Sequence, residues 1–553
     1  MQIITKTEKR TSSQVWGEGA LVALSGYREK TNWNETLVGH TTQMLGVRFL
    51  LPFPFEVSFI NNGQRIAPSI GQVYYAGGDL ISGSWEGHDF TFGPLQYDSF
   101  VGDIPEGWQV RIQTQENQWD AEIQTLFVKV DEWHLAFELK ADGRLALAIG
   151  KEYDGVLSRL RTAWETDWSA LWSQRKGFFE QLPLPLGHEQ VAKKAWSILK
   201  VNVESGGEWL PCRWTTPDRI PHKDMWLWDS GFHSLAWNLL DGQMARETLE
   251  AILRQADPKT GFIPHQAHPG WRSQITQPPV LAWATWEVVH KHGDVDFARW
   301  ALPILEGYLR WDEVNRDQNG NGLLEWFIEE NLNCRSGESG MDNSPRFDSA
   351  LNMDAVDFSS FLSHEYSCLS KLAAFLSQKE RAESYQRRAE LIARKVNDYL
   401  YDSEQGFYFD RCMDGEFSKV KACSGFAPLF AGICSSEQAA ALVRHLEAPQ
   451  EFATPVMVPS VACNEPTYSS DMWRGPSWLN WTYMIVCGLE RYGYHQLANE
   501  ICARMVGAVE KWYDQTGTIF EYYDSQNLRS PTTCDRKGPV PDKYDLQMKV
   551  PAI

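Results

Sequence analysis

MWLWDSGFHSLAWNLLDGQMARETLEAILRQ, Met225 to Gln255, holds two consecutive segments, SGFHSLAWNLL and GQMARETLEAILRQ. Each carries apolar residues three and four positions apart, which is the period of an amphipathic helix. The same pattern returns along the chain in HEQVAKKAWSILKVNV (from His188), PVLAWATWEVVHKHG (from Pro279), DFARWALPILEGYLRWDEVNR (from Asp296), DFSSFLSHEYSCLSKLAAFLS (from Asp357), ERAESYQRRAELIARKVNDYL (from Glu380), SEQAAALVRHLE (from Ser436), SWLNWTYMIVCGLERYG (from Ser477) and HQLANEICARMVGAVEKWYD (from His495). About ten or more helices in antiparallel-looking pairs follow from this periodicity. The segments between them are rich in Trp, Pro, Gly and Asp and too long to be mere turns, so function is expected there. A helical toroid of the (α/α)6 type, with its site built from loops at one end, accounts for the arrangement.

Upstream the pattern changes. From about Leu21 to Gly150 the chain reads as short runs rich in aromatic and β-branched residues, such as GVRFLLPFPFEVSFI and GQVYYAGG, broken by Gly, Asp and Asn. Together with the turn at Ala141-Asp142-Gly143, these predict antiparallel strands packed as a β-sandwich. A helical stretch, DGVLSRLRTAWETDWSALWSQRKGFFEQL, follows, and PLPLG closes it. The expected organisation is a β-sandwich domain over 1–150, a helical linker over 151–186 and a helical catalytic domain over 187–553. The fold class is therefore α+β, with the antiparallel sandwich preceding the barrel.

The net charge of −20 argues against a phosphate-backbone partner, so nucleic acid is excluded as the ligand. No run of about 18 apolar residues is present to cross a bilayer, and MQIITKTEKRTSS at the amino terminus lacks the apolar stretch of a signal peptide. Ten cysteines, none in a C-x-x-C pair, read as free thiols, and a cytoplasmic location is expected. Tryptophan, at 25 copies, is in excess; its flat apolar face suits a sugar ring as well as a core.

Hydrolysis of a glycoside needs two carboxyl groups, one protonated and one ionised. SGESGMDNSPRFD places Asp342 in a Gly/Ser/Asn/Pro loop, and DQTGTIFEYYDSQN places Glu521 between Phe520 and Tyr522. An acid at Asp342 would need partial desolvation or a nearby negative charge to keep its proton, whereas a base at Glu521 must be ionised. Asp229 in WLWDSGFH is a third carboxylate of interest, and a helix cap is its plainer reading. DQNGNGLLEW sets Asp317, Asn319 and Asn321 at positions one, three and five of a calcium-type loop, with the Leu323 carbonyl at seven and Glu325 at nine. Ile328 stands where the bidentate glutamate would be, so calcium competes there with a plain Asn/Gly turn.

MWLWDSGFH, GFIPHQ, QPPVLAWA, SGMDNSPRFD, MWRGPSWLNWTY, FEYYD and RKGP occur in this order between Met225 and Pro539, and with them the chain resembles glycoside hydrolases of family 63. The resemblance covers the helical region and says little about the first 180 residues. It implies an inverting α-glycosidase, most simply an exo-acting α-glucosidase on a short glucoside or a glycosyl conjugate, with Asp342 as general acid and Glu521 as general base. It implies that Asp229 binds sugar hydroxyls and that Trp226, Trp228, Phe232, Trp473 and Trp478 line the pocket. Gln277, Asn343, Arg474 and Lys537 are the implied polar lining, with His265 a further candidate. No cofactor is implied for the chemistry, and a structural Ca2+ is the one candidate ion. The implied partner is a small saccharide, with no nucleic acid and no membrane. An inverting phosphorylase on a related barrel and a non-catalytic carbohydrate-binding protein are the competing readings.

Overall fold

The computed structural model describes residues 13–68, 71–115, 117–121 and 125–537; residues 1–12 of the amino-terminal stretch and Gly538 and Pro539 of RKGP lie outside the described residues. Two compact units are present. Among the described residues, one runs to residue 205 and takes in 511–519, and the other comprises 206–510 with 520–537.

The first unit holds two antiparallel sheets of seven strands each. One runs in the order Leu21–Ala23, Val38–Thr41, Gly46–Leu51, Phe55–Asn61, Gln109–Gln113, Gln118–Ala121, with Gln64–Arg65 paired to Phe55–Asn61. The other runs Thr125–Val130, Trp133–Leu139, Arg144–Gly150, Ser99–Asp103, His88–Gln96, Ile81–Trp85, Gly71–Tyr75. Alternate residues such as Val110 and Ile112, or Leu135, Phe137 and Leu139, point into one shared core. Phe59 meets Phe92 at 4.7 Å and Phe49 meets Phe100 at 5.5 Å, so the two sheets pack face to face.

Helices α1 (Tyr153–Glu165), α2 (Trp168–Glu180) and α3 (Glu189–Val201) complete this unit. Composition places them in a linker and the start of the helical domain; the contacts assign them to the sheets. The reason is the apolar stripe of α1, Val156, Leu160 and Ala163, which lies on the strands Trp133–Leu139 and Arg144–Gly150. A buried charge network does the same for α2 and α3. Lys200 on α3 pairs with Asp79 at 2.7 Å, while Arg175 on α2 donates to the Asp79 and Pro94 carbonyls and to Glu29. Burial would push the Asp79 carboxyl up, but Lys200 and then Arg175 hold it below its ordinary value.

In the second unit the helices are α4 (Leu227–Trp237), α5 (Gly242–Leu253), α6 (Leu281–His292), α7 (Val295–Arg316), α8 (Val356–Phe375), α9 (Lys379–Tyr399), α10 (Ala427–Ala431), α11 (Ser436–Leu446), α12 (Leu479–Arg491) and α13 (His495–Thr516), whose last residues belong to the first unit. Alternate helices form a continuous row, α4 on α6, α6 on α8, α8 on α10 and α10 on α12. The helices between them pack on that row: α5 on α4 and α6, α7 on α6 and α8, α9 on α8. Sequence explains the two layers. Buried residues of α9 make a single stripe, Ala382, Tyr385, Ala389, Ile392 and Val396, whereas α8 is buried on nearly every side from Val356 to Glu365. Glu365 of α8 caps α6 by accepting from the backbone of Ala282 at 2.6 Å and Trp283 at 2.8 Å. Among the described residues, no helix is long and apolar enough to cross a membrane.

Replacing Asp79 by Ala leaves the buried Lys200 and Arg175 cations without their shared anion, and a loss of about 3–5 kcal/mol is expected on denaturant titration. Because the Asp79 carboxyl is held low in the folded state, its stabilisation is complete above the unfolded value and fades as pH falls through the folded one. The difference between wild type and variant should therefore shrink in acid.

Candidate active site

Every residue singled out as catalytic or pocket-lining lies on α4 or on a segment that leads into α4, α6, α8 or α12, or in the stretch 520–537. Met225–Trp226 pairs with Gln266–His268, which pairs with Trp271–Arg272, giving a three-stranded sheet at the head of α4. His222 and His265 meet the Trp226 indole edge-on, at 5.7 and 5.1 Å. The next indole, Trp228, has its backbone N–H bound to the Gln277 side-chain oxygen at 3.1 Å and contacts Phe232. Its ring lies over Gly340, where an added Cβ would come within 2.6 Å and where φ is +69°, so this position of SGMDNSP accepts only glycine without strain.

That turn presents Asp342. It is tied down on both sides. Four residues before Asp342, the buried Glu338 accepts from the backbone of Thr276 and Phe327 and from the Arg316 guanidinium. Four residues after it, the buried Arg346 is held between Asp357 at the start of α8, 2.6 Å away, and Asp410, 2.7 Å away. Asn343 accepts from the Trp473 backbone through its side chain and from Arg474 through its carbonyl, both at 3.1 Å, and Arg474 grips both oxygens of Asp348. The MWRGPSW segment is thus fastened to the Asp342 loop.

Trp473 stacks on Trp478 at 3.7 Å and Trp478 on Tyr522 at 4.8 Å. Implied as aromatic lining of the pocket, Trp473 is only 1 % exposed and Trp478 only 6 %. Covered by this stack, the pair is a wall behind the neighbouring strand. Ser477–Trp478 pairs with Tyr522–Tyr523, and this fixes where Glu521 emerges.

Arg536 donates to Glu521 at 2.9 Å, and Lys537, the next residue, contacts Asp342 at 2.7 Å. Two consecutive cations thus join the two carboxylates. Lys537 adopts a φ of +58° and its N–H donates to Asp471 at 2.8 Å, which anchors the backbone of the cation pair. The other guanidinium nitrogen of Arg536 donates to His222 Nε2 at 3.5 Å.

Charge is crowded here. Burial first, and then the Glu521 charge, push both Asp229 and Asp218 up to about 7. Burial lowers His222, against the charges of Glu521 and Asp342, and lowers His265 to about 4. Both imidazoles are neutral near pH 7. Sequence reading missed Asp218, His222 and Arg536. Asp218 and His222 stand in PDRIPHKD, a segment without helical or strand periodicity and so without local signal; Arg536 was visible in RKGP beside the chosen Lys537.

The DQNGNG loop lies elsewhere in this unit. Asp317 accepts from Gly322, Asn319 from Asn321 and Asn321 from Leu323, so three side-chain oxygens close turns. The amide nitrogens of Asn319 and Asn321 both donate to Asp354, which the sequence reading did not include, and the Asn321 carbonyl accepts from Lys395. Asp317 Oδ1 and Glu325 Oε1 are buried without a hydrogen-bond partner, and burial, then Asp354 and Asp317, push Glu325 up to about 7.

Residues 221–527, more than half of the chain, match the family model described as the mannosylglycerate hydrolase MGH1-like glycoside hydrolase domain. Among solved structures, the family 63 mannosylglycerate hydrolase from Thermus thermophilus, in complex with Tris and D-glycerate, is 26% identical with a TM-score of 0.53; the likeness covers 63% of this chain and 96% of that one. The chain belongs to glycoside hydrolase family 63. The matched stretch contains Asp218's neighbour His222, Asp229, Asp342 and Glu521, but stops short of Arg536 and Lys537. A Borreliella burgdorferi protein shares 29% identity over 228 residues, 41% of this family 63 chain and 46% of that protein, so the chain spans about half of its length. A bacterial glucoamylase solved with acarbose aligns over 96% of this chain and 93% of its own at 11% identity and a TM-score of 0.57, a likeness of fold alone.

Asp229→Asn should raise stability at mildly alkaline pH. The sign follows from the raised carboxyl: the folded state holds its proton longer than the unfolded chain, so wild-type stability falls as pH rises from the unfolded value through about 7. Asparagine removes that penalty. Thermal melts on either side of this window should diverge, with the variant ahead only at the higher pH.

Proposed function

We propose that this chain is an inverting, exo-acting α-glycosidase on an (α/α)6 barrel, with Asp342 as general acid and Glu521 as general base. The carrying observation is the Arg536–Lys537 pair, which brings these two carboxyls to one place although 179 residues separate them. The row of alternate helices with a second layer behind it supports the barrel reading. Asp229, protonated or hydrogen-bonded to a sugar hydroxyl near neutral pH, binds the glycone together with Trp226, Trp228, Phe232, Gln277 and His265. Asn343, Arg474, Trp473 and Trp478 shape the wall from which Glu521 projects.

In this reading Asp342 gives its proton to the glycosidic oxygen as the bond to the anomeric carbon breaks. Glu521 removes a proton from a water attacking from the opposite side. The substrate class is a short α-linked glucoside or a glycosyl conjugate; the relatives named as mannosylglycerate hydrolases put conjugates of glycerate first among the candidates. Ten unpaired cysteines support a cytoplasmic location.

Calcium is proposed as a structural ion in the DQNGNG loop, outside the chemistry. The two orphaned carboxylate oxygens of Asp317 and Glu325 suit a hard cation, and Asp354 adds a third carboxylate. The Leu323 carbonyl and the oxygens of Asn319 and Asn321 would complete the shell once the amides turn.

Asp342→Asn and Glu521→Gln should each lower turnover of a cleavable α-glycoside by several orders of magnitude with the melting curve retained. Proton NMR in the first minutes should show the β-anomer released by wild type; an initial α-anomer signal would rule out single displacement. Chelation should lower the melting temperature, and Asp317→Ala should reproduce that loss and abolish the response to chelator.

A further inference from the structure

A general acid must enter the reaction carrying its proton. The expectation from sequence is therefore a dry or negative neighbourhood for Asp342. The structure puts an ammonium there instead, with Lys537 Nζ 2.7 Å from Asp342 Oδ2. Such a contact favours the charged carboxylate, the form that cannot donate.

We propose that Lys537 is a counterion lock on Asp342, and that a substrate whose aglycone carries a carboxylate draws Lys537 away, letting Asp342 take up the proton it donates. The proposal rests on the hydrolase reading above and concerns how that site is switched on. Three features support it.

The first is that the pair can open. The Lys537 and Asp342 side chains are 32 % and 24 % exposed, so the contact is partly open to solvent. The Lys537 backbone is fixed through Asp471 and its left-handed φ, and a lysine carries its ammonium on a flexible four-carbon stem.

The second is what remains when the lysine leaves. Among the described residues, other titratable groups on which the Asp342 charge acts include His222, His265, Cys334 and Arg536. Burial keeps His265 neutral and lowers His222, and it pushes the Cys334 thiol up to about 12. Arg536 is engaged by Glu521 at 2.9 Å. Without Lys537, the cation left in this set is Arg536, already paired with Glu521, beside neutral His265, His222 and Cys334. Burial of Lys537 itself opposes its charge most, and Asp342 together with Cys334 offsets that burial, so the lysine too needs a negative partner wherever it goes.

The third is reach. The oxygen that Asp342 protonates must come within about 3 Å of it. A carboxylate on the aglycone carbon that bears this oxygen then lies in the arc of Lys537. It supplies the anion the lysine gives up and adds a second negative charge beside Asp342.

The proton count closes. As Lys537 moves to the aglycone carboxylate, Asp342 takes one proton from solvent; it passes to the glycosidic oxygen as the C–O bond breaks. Glu521 takes a proton from the attacking water, whose oxygen bonds to the anomeric carbon, and returns it to solvent. Nothing is oxidised or reduced.

The test measures proton uptake on binding to the full-length Glu521→Gln protein, using α-mannosylglycerate and α-glucosylglycerate as probes. Calorimetry at neutral pH in two buffers of different ionisation enthalpy should report uptake approaching about one proton per site for the conjugate that binds. Uptake should vanish when Asp342→Asn or Lys537→Met is added and persist with Lys537→Arg. With an otherwise wild-type protein, the glycerate conjugate should exceed the matching neutral glycosylglycerol in kcat by roughly 10²-fold, and Lys537→Met should erase that preference. Binding without uptake, uptake that survives Asp342→Asn, or failure of both conjugates to bind overturns the lock. Hydrolysis of a neutral α-glucoside alongside any of those outcomes would leave the hydrolase reading standing, whereas inactivity toward every α-glycoside would overturn that reading itself.

Discussion

Arg346, 2 % exposed, is held by two buried aspartates, and the geometry of the site depends on this knot. Its guanidinium is bidentate to Asp357 and to Asp410, Asp357 also accepts from the Trp326 indole, and Asp410 also accepts from the Val356 backbone. Charges taken out of water are costly unless every donor and acceptor is matched, and removing one partner from such a group typically costs about 3–5 kcal/mol. The planar fork of arginine is what lets one side chain answer two carboxylates at once. Because Arg346 is four residues from Asp342 and Asp357 lies in the first turn of α8, the knot ties the Asp342 turn to a helix buried throughout its first half. The opposite end of the same turn is held by Glu338, which is fully buried and accepts from three separate segments.

With the turn held in place, electrostatics shape what it can do. The protein is acidic overall, and the site concentrates that character: the Glu521 charge acts on Asp218, Asp229 and His222, and the Asp342 charge acts on His222 as well. Four carboxylates cannot all be ionised and desolvated together. Two of them, Asp218 and Asp229, respond by holding their protons to about neutrality, and the other two face Arg536 and Lys537. The division fits a site that needs both protonated and ionised carboxyls at one pH. Consecutive positions for the two cations matter, since a single anchored backbone then sets both pairs.

The first unit is built on different physics. Its sheets share an aromatic core, and α2 and α3 are fastened by the Asp79 network as well as by apolar packing. The family 63 match begins at residue 221, beyond these sheets, and a likeness of fold extends over them. The proposed site, by contrast, lies on the first turns of α4 and on segments between helices that lack the periodicity packing imposes.

Sequence by itself determined the elements and the candidates. Helical periodicity marked α4 to α9 and α11 to α13, with SGFAPLFAGI as a short helix at α10, because apolar residues recur at helical spacing even where, as in α8, nearly every side is buried, and alternation marked the strands. Asp342 and Glu521 stood out because their loops lack any packing pattern, and the resemblance supplied their roles. What only the tertiary structure decided concerns contacts between segments far apart in the chain. That α1 to α3 belong with the sheets depends on what their stripes touch, which composition does not encode. Asp218 and His222 enter the site because the chain folds them against Glu521 and Arg536, and Trp473 and Trp478 turn out to cover one another. The cation beside Asp342 is the clearest case: a residue's charge is written in the sequence, but its electrostatic neighbourhood is set by distance, and 195 positions separate Lys537 from the carboxylate it holds.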